Sequence, residues 1–205
     1  MKILTLYPDS FASNTHLLIS NGQALIVDPA VIPTEIIAAD PDNAVKIVGI
    51  LLTHGHFDHI FEIDTLREEL GIKLMMHRED AEMLTDGKKN ASYTFFRKEQ
   101  TYAPADILFE DGYEIPFGNE TIKVIHTPGH TKGSVCYLCG DSLITGDTLF
   151  ADGVGRTDLY GGSSTELMRS LDRLSTLDKN IKIYTGHGPS TYLGHALDNS
   201  LYFRH

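Results

Sequence analysis

The sequence has only two cysteines, no basic tract and no apolar run longer than six residues, and each shortage removes a class of protein. A helix needs roughly 20 apolar residues to cross a bilayer; the longest run here, Ile47 to Leu52, suits one strand, so no membrane span is expected. The opening Met1-Lys2-Ile3-Leu4-Thr5-Leu6 is interrupted by Pro8 and Asp9, so it reads as a first strand and not as an export signal. Lys plus Arg is 17 against 28 Asp plus Glu, a net charge of −11, which argues against nucleic acid as a partner. Cys136 and Cys139 form a C-x-x-C, but the flanking Ser134-Val135 and intervening Tyr137-Leu138 read as a strand, and no second C-x-x-C completes a zinc site. Two packed thiols without an export signal suit a reducing cytoplasm, which is the expected location. No Pro/Ser/Gly linker or low-complexity tract divides the chain. Residues 1–205 are therefore expected to form one domain, large enough to bury a core without disulfides.

What the chain does have is a succession of short β-rich apolar runs: 3–7, 16–20, 24–27, 47–52, 73–76, 121–125, 134–138, 142–145 and 181–184. Helical spacing appears at 33–39, at 60–70, around Ala81 and at 165–177, where Leu167, Leu171 and Leu174 share a face behind a Ser163-Ser164 cap. Strands and helices interleave, so the class is α/β. The segment Asp86 to Asp106 has the least pattern and is expected to be a lid or loop beside a site.

Four strand runs end in a Thr followed within three residues by a possible metal ligand: Thr53-His54, Thr127-Pro128-Gly129-His130, Thr145-Gly146-Asp147 and Thr185-Gly186-His187. If these strands run in comparable directions, the ligands converge at one edge, where α/β proteins often bind. The first of them opens His54-Gly55-His56-Phe57-Asp58-His59, an H-x-H-x-D-H that residue frequencies would give by chance in about 0.2% of such chains. In an extended segment His54 and His56 point the same way and can share a cation, while Asp58 and His59 fall on the next turn and can face a neighbouring one. Imidazole with carboxylate suits Zn²⁺, Fe or Mn.

In these stretches, together with Ile26-Val27-Asp28-Pro29, His126 to Thr131, Thr145 to Phe150, Gly155-Arg156-Thr157-Asp158 and Gly186 to Ser190, the sequence resembles the metallo-β-lactamase superfamily, and within it the short bacterial glyoxalase II-like hydrolases. The resemblance implies an αββα sandwich, two mixed β-sheets flanked by helices, with metals at one edge. It assigns His54, His56 and His130 to a first ion and Asp58, His59 and His187 to a second, with Asp147 bridging both. The implied activity is hydrolysis of a thioester, S-lactoylglutathione in particular, by a hydroxide shared between two divalent ions, most simply zinc. Asp58 is the candidate to orient that water and accept its proton.

The expected partner is a small acyl thioester. Only 18 residues follow His187, so the helical domain with which longer glyoxalase II enzymes grip glutathione is not expected, and the charge of −11 sits awkwardly with an anionic substrate. Arg156 falls where those enzymes carry a substrate-contacting Lys and is the candidate anion anchor; pairing with Asp152 or Asp158 is the competing reading. Lys132 stands where the family often has Pro. Asp28, ending a strand before Pro29, is either a turn residue or, the preferred reading, the group that orients a metal-bound histidine, whereas His126 is a weaker candidate for support and His16, His77 and His195 are expected to be surface or strand residues. The rival activity is a mononuclear iron persulfide dioxygenase using His54, His130 and Asp147. A β-lactamase is disfavoured by the missing export signal, and a thiol-based sensor using Cys136 and Cys139 is the outsider.

Overall fold

In the computed structural model, residues 1–8, 11–39 and 45–200 are described. The first half builds one sheet from β1 (Lys2–Leu6), β2 (Thr15–Ser20), β3 (Gln23–Val27), β4 (Lys46–Leu51), β5 (Lys73–His77) and β6 (Ile107–Phe109), paired in that order. The second half builds another, in the order β12 (Thr191–Tyr192), β11 (Lys182–Thr185), β10 (Ser142–Gly146), β9 (Val135–Cys139), β8 (Glu120–His126) and β7 (Glu114–Phe117). Helices α1 (Pro33–Ala38), α2 (Ile63–Leu70), α3 (Ser92–Phe96), α4 (Ser164–Ser175) and α5 (Leu193–Asn199) complete the described elements, with 3-10 turns at Phe57–His59 and Arg78–Thr85.

The period-2 alternation of the strands sorts their side chains into three apolar layers. Leu25, Val27, Leu51, Ile122, Val124, Val135 and Tyr137 fill the space between the sheets. Ile26, Ile50, Leu52 and Leu74, on the other face of the first sheet, pack with Ile36 of α1 and with Ile63 and Leu66 of α2. Ile125, Cys136, Leu143 and Ile183 pack with Leu167, Leu171 and Leu174 of α4 and Leu193 of α5. This is the αββα sandwich with mixed sheets. The Ser163 side chain caps α4 by accepting from Glu166 N at 3.3 Å, and Gly71 closes α2 in the left-handed conformation at φ 64°.

All nine expected strands form, while β6, β7 and β12, of two to four residues each, add edge strands that the periodicity did not signal. The alternation also separates the two cysteines: Cys136 faces α4 and α5, and Cys139 faces the other sheet. Burial pushes their thiols up to about 11 and about 12, and facing opposite sides of one strand they do not point at each other.

Direction, more than composition, positions the site. β4 runs parallel to β3 and β5, β10 runs parallel to β11, and β8 shares that direction because both it and β10 pair antiparallel with β9. The C-terminal ends of β8, β10 and β11 therefore lie at one edge of their sheet, where β4 of the other sheet also ends. No helix among the described residues is long and apolar enough to cross a membrane.

Candidate metal centre

Each ligand-type side chain is delivered by a strand end. After β4 the chain stays extended through His56 (φ −73°, ψ 148°) and then tightens into the turn Phe57–His59, so His54 and His56 project from the extended part and Asp58 and His59 from the turn. Two bonds from the second sheet hold this segment: Val135 N donates to Thr53 O at 2.9 Å, and Tyr137 Oη donates to Leu52 O at 2.5 Å. The loop after β8 brings His130, the end of β10 brings Asp147, and the end of β11 brings His187. Gly186 is required there, because a Cβ at that position would overlap Asp147 Oδ1.

All seven side chains meet. His130 Nε2 lies 2.8 Å from His56 Nδ1 and 3.2 Å from His54 Nε2. His59 Nε2 is 3.3 Å from Asp147 Oδ1, and His187 Nε2 is 3.3 Å from Asp58 Oδ2 and 3.7 Å from Asp147 Oδ2. Three groups can each hold an ion: His54/His56/His130, His54/His59/Asp147 and Asp58/His59/His187. Ligand atoms on one tetrahedral Zn²⁺ stand about 3.3 Å apart, close to the spacings seen.

The hydrogen bonds around the rings turn their inner nitrogens toward one another. His130 Nδ1 donates to Arg156 O at 2.8 Å and His59 Nδ1 donates to Asp28 Oδ2 at 2.9 Å. Thr53 Oγ1 donates to Asp28 Oδ2 at 2.6 Å, which leaves it to accept from His54 Nδ1 at 3.1 Å. Those outer bonds fix the tautomers and turn Nε2 of His54, His59 and His130 inward. His59 Nε2 and Asp147 Oδ1 are buried with no hydrogen-bond partner, as is His56 Nε2. Buried polar atoms are rarely left so, and a cation between these groups would satisfy the two that face the cluster.

Charge within the cluster follows from burial and neighbours. Burial, reinforced by the surrounding imidazoles, lowers His54 and takes His56 down to about 3, so both rings are neutral and able to ligate. Burial alone would lower His59 too, but the carboxylates of Asp147 and Asp28 outweigh it and hold that ring well above the usual value. Burial pulls Asp147 and Asp58 upward; contacts with His59, and with His187 at Asp58, overcome this and keep both carboxyls low. The cluster is sealed at His54, His56, His59 and His130 and opens to solvent at Asp58 and His187, whose side chains are 18% and 34% exposed. The opening is a cavity of about 430 Å³.

The remaining expectations separate. Asp28 does orient His59. His126 does not support the cluster, because its Nε2 bonds Lys132 O at 2.7 Å and its ring stacks on His77 at 4.0 Å. His16 and His77 are strand residues, both buried. Arg156 lines the cavity and forms a forked pair with Asp158 at 2.7 and 2.8 Å, which is the competing reading of this residue. Lys132 lies over the Tyr160 ring, 5.7 Å from its centroid, and does not line the cavity. The unpatterned segment builds α3, whose Phe95 lines the cavity with Phe11 and Phe57. Phe11 and Phe95 carry no signal in sequence, since only the fold brings them to Phe57.

Comparison with known proteins agrees with this geometry. The model of the metallo-beta-lactamase superfamily matches residues 8–187. A probable metallo-hydrolase of Bacillus subtilis, YqgX, is 38% identical over 182 residues, covering 87% of this chain and 86% of that protein. The crystal structure of BLEG-1 B3 metallo-beta-lactamase superposes with a TM-score of 0.91 at 32% identity, over 98% of this chain and 99% of that one. TTHA1623 in a di-iron-bound form gives 0.84 at 28% identity, over 98% and 100%. ETHE1 from Myxococcus xanthus gives 0.75 at 27%, over 95% and 80%.

Proposed function

We propose, for a chain that belongs to the metallo-beta-lactamase superfamily, that it is a metal-dependent hydrolase cleaving a small acyl thioester, with S-lactoylglutathione as the reference substrate. The observation that carries this reading is the pair of bare buried atoms His59 Nε2 and Asp147 Oδ1, 3.3 Å apart beside three converging imidazole nitrogens. His54, His56 and His130 would hold one divalent ion and Asp58, His59 and His187 another, with Asp147 between them. The metallo-hydrolase relative supports a resident metal, and the di-iron form of TTHA1623 keeps iron beside zinc as its identity. Bound ions would supply a Lewis acid for the thioester carbonyl and make water nucleophilic near neutral pH.

The chain's own groups do the rest. Asp58, ionised and at the open side of the cluster, accepts the proton of the attacking water. Asp28 holds His59 directly and His54 through Thr53 in the tautomers that face inward. Arg156 brings a guanidinium to the cavity wall, where an anionic arm of the substrate can pair with it.

The test is metal content per chain, with hydrolysis of S-lactoylglutathione measured on the same sample. Near two ions with thioester cleavage supports the proposal. A second reading, a mononuclear iron dioxygenase acting on glutathione persulfide through His54, His130 and Asp147, draws weight from the likeness to ETHE1. One iron per chain with oxygen uptake and no hydrolysis would select it. A chromogenic cephalosporin in the same assay examines amide cleavage, which the likeness to a B3 metallo-beta-lactamase raises.

A further inference from the structure

Apart from the five ligand-type side chains His56, Asp58, His130, Asp147 and His187, the cavity is lined by Phe11, Phe57, Phe95, Phe150, Leu159 and Arg156. Five of these six are apolar, and the guanidinium of the sixth is already engaged by Asp158. Among the described residues lining it there is no hydroxyl or amide side chain, so beyond the metal-binding groups a substrate hydroxyl such as that of a lactoyl group would find only the remaining N–H groups of Arg156.

The apolar wall is assembled on the ligand segment itself. Phe57 lies between His56 and Asp58 in sequence, is buried, and has its ring 5.1 Å from Phe95, 5.0 Å from Phe96, 5.8 Å from Phe61 and 6.2 Å from Phe11. Five of the chain's nine phenylalanines thus gather here. The loop that carries Phe95 is anchored to the same segment, since Phe57 N donates to Asn90 O at 3.0 Å. It is tied internally as well: Ser92 N donates to Asn90 Oδ1 at 3.0 Å, Ser92 Oγ to Gly87 O at 3.0 Å, and Gln100 N to Ser92 Oγ at 2.9 Å. Phe11 and Phe95 nevertheless remain 61% and 52% exposed, with their apolar area available to whatever enters the cavity.

We infer that this wall is an acyl subsite, and that the enzyme favours thioesters with a bulky apolar acyl group, an arylalkanoyl or a medium-chain alkanoyl, over the hydroxyacyl group of lactate. The inference rests on the thioester-hydrolase reading above and refines its substrate. Each methylene moved from water to the phenylalanine wall is worth a factor of about four in binding, so a phenylpropanoyl or hexanoyl group gains tenfold or more over a lactoyl group if the contact forms.

The test measures kcat/KM for the acetyl, lactoyl, hexanoyl and 3-phenylpropanoyl thioesters of one neutral thiol, N-acetylcysteamine, with S-lactoylglutathione alongside. The phenylpropanoyl-to-lactoyl ratio is expected to exceed ten, to fall about tenfold in Phe95→Ser and Phe11→Ser, and to persist in Phe95→Leu. A ratio near one, or one that Phe95→Ser leaves in place, overturns the subsite while hydrolysis itself stands. If no thioester is cleaved, the hydrolase reading fails instead. The subsite is then judged by equilibrium dialysis of 3-phenylpropanoate against lactate on the metal-loaded protein: tighter phenylpropanoate binding that Phe95→Ser weakens supports it, and equal binding overturns it.

Discussion

Asp28 Oδ2 accepts from His59 Nδ1 at 2.9 Å and from Thr53 Oγ1 at 2.6 Å, so one buried carboxylate orients two imidazoles of the cluster. Its other oxygen accepts from Thr53 N at 2.8 Å, and the residue takes a left-handed φ of 53° to reach this position. Asp tolerates that conformation better than most residues. In Asp28→Asn the amide has an NH₂ where one oxygen was, and in neither orientation can it accept all three bonds from His59 Nδ1, Thr53 Oγ1 and Thr53 N. Metal affinity, measured by chelator competition, is expected to fall 10- to 100-fold with the far-UV CD spectrum unchanged. Unchanged affinity would show that His59 needs no carboxylate behind it.

Asp58 tests the proton acceptor. Asp58→Asn keeps an oxygen for ligation but removes the base, so kcat is expected to drop by roughly 10²–10⁴. The accompanying measurement is metal content on the same preparation: turnover must fall by more than any loss of metal accounts for. Full metal content with full turnover would assign the proton elsewhere.

His16 supplies a pH dependence whose sign is fixed. It is fully buried on β2, between Thr5 Oγ1 at 3.0 Å and Thr185 O at 3.2 Å, and burial lowers it to about 4. An unfolded chain binds this proton from about pH 6.5 downward, whereas the folded chain resists it until about pH 4. The contribution is therefore complete above pH 6.5 and is lost as pH falls between those values, by about 3 kcal/mol in all. Urea unfolding of His16→Gln from pH 7 to pH 4 should lack this part of the slope. Parallel profiles for the variant and the parent would contradict it.

Tyr137 ties the two sheets together beneath the site. Its hydroxyl, buried between them, donates to Leu52 O two residues before His54. Tyr137→Phe leaves that carbonyl without its partner and is expected to cost about 1–3 kcal/mol in urea unfolding. A variant as stable as the parent would mean that solvent reaches the carbonyl in its place.

The sequence displays the residues that chemistry and regular geometry constrain. The H-x-H-x-D-H stands out because ligation needs those residue types at that spacing, and the Thr that precedes each ligand marks where a strand runs out. The Leu167, Leu171 and Leu174 stripe declares α4 because a helix must repeat its buried face. The short strands β6, β7 and β12 have too few residues for alternation to register. The phenylalanine wall is hidden for a different reason: Phe11, Phe57 and Phe95 are far apart along the chain and share no period, so their proximity is a product of tertiary folding alone. Likewise, nothing local says that His126, four residues before His130, should stack on His77 and leave the cluster.

The division of the ligands between the two sheets has a consequence for assembly. His54, His56, Asp58 and His59 come from the half of the chain that builds the first sheet; His130, Asp147 and His187 come from the half that builds the second. Neither half carries a whole site, so a captured ion acts as a rivet that can be driven only once both plates are aligned. Metal uptake then reports the docking of the sheets and not the formation of either one, and a chelator should loosen the seam between them before it unravels a strand.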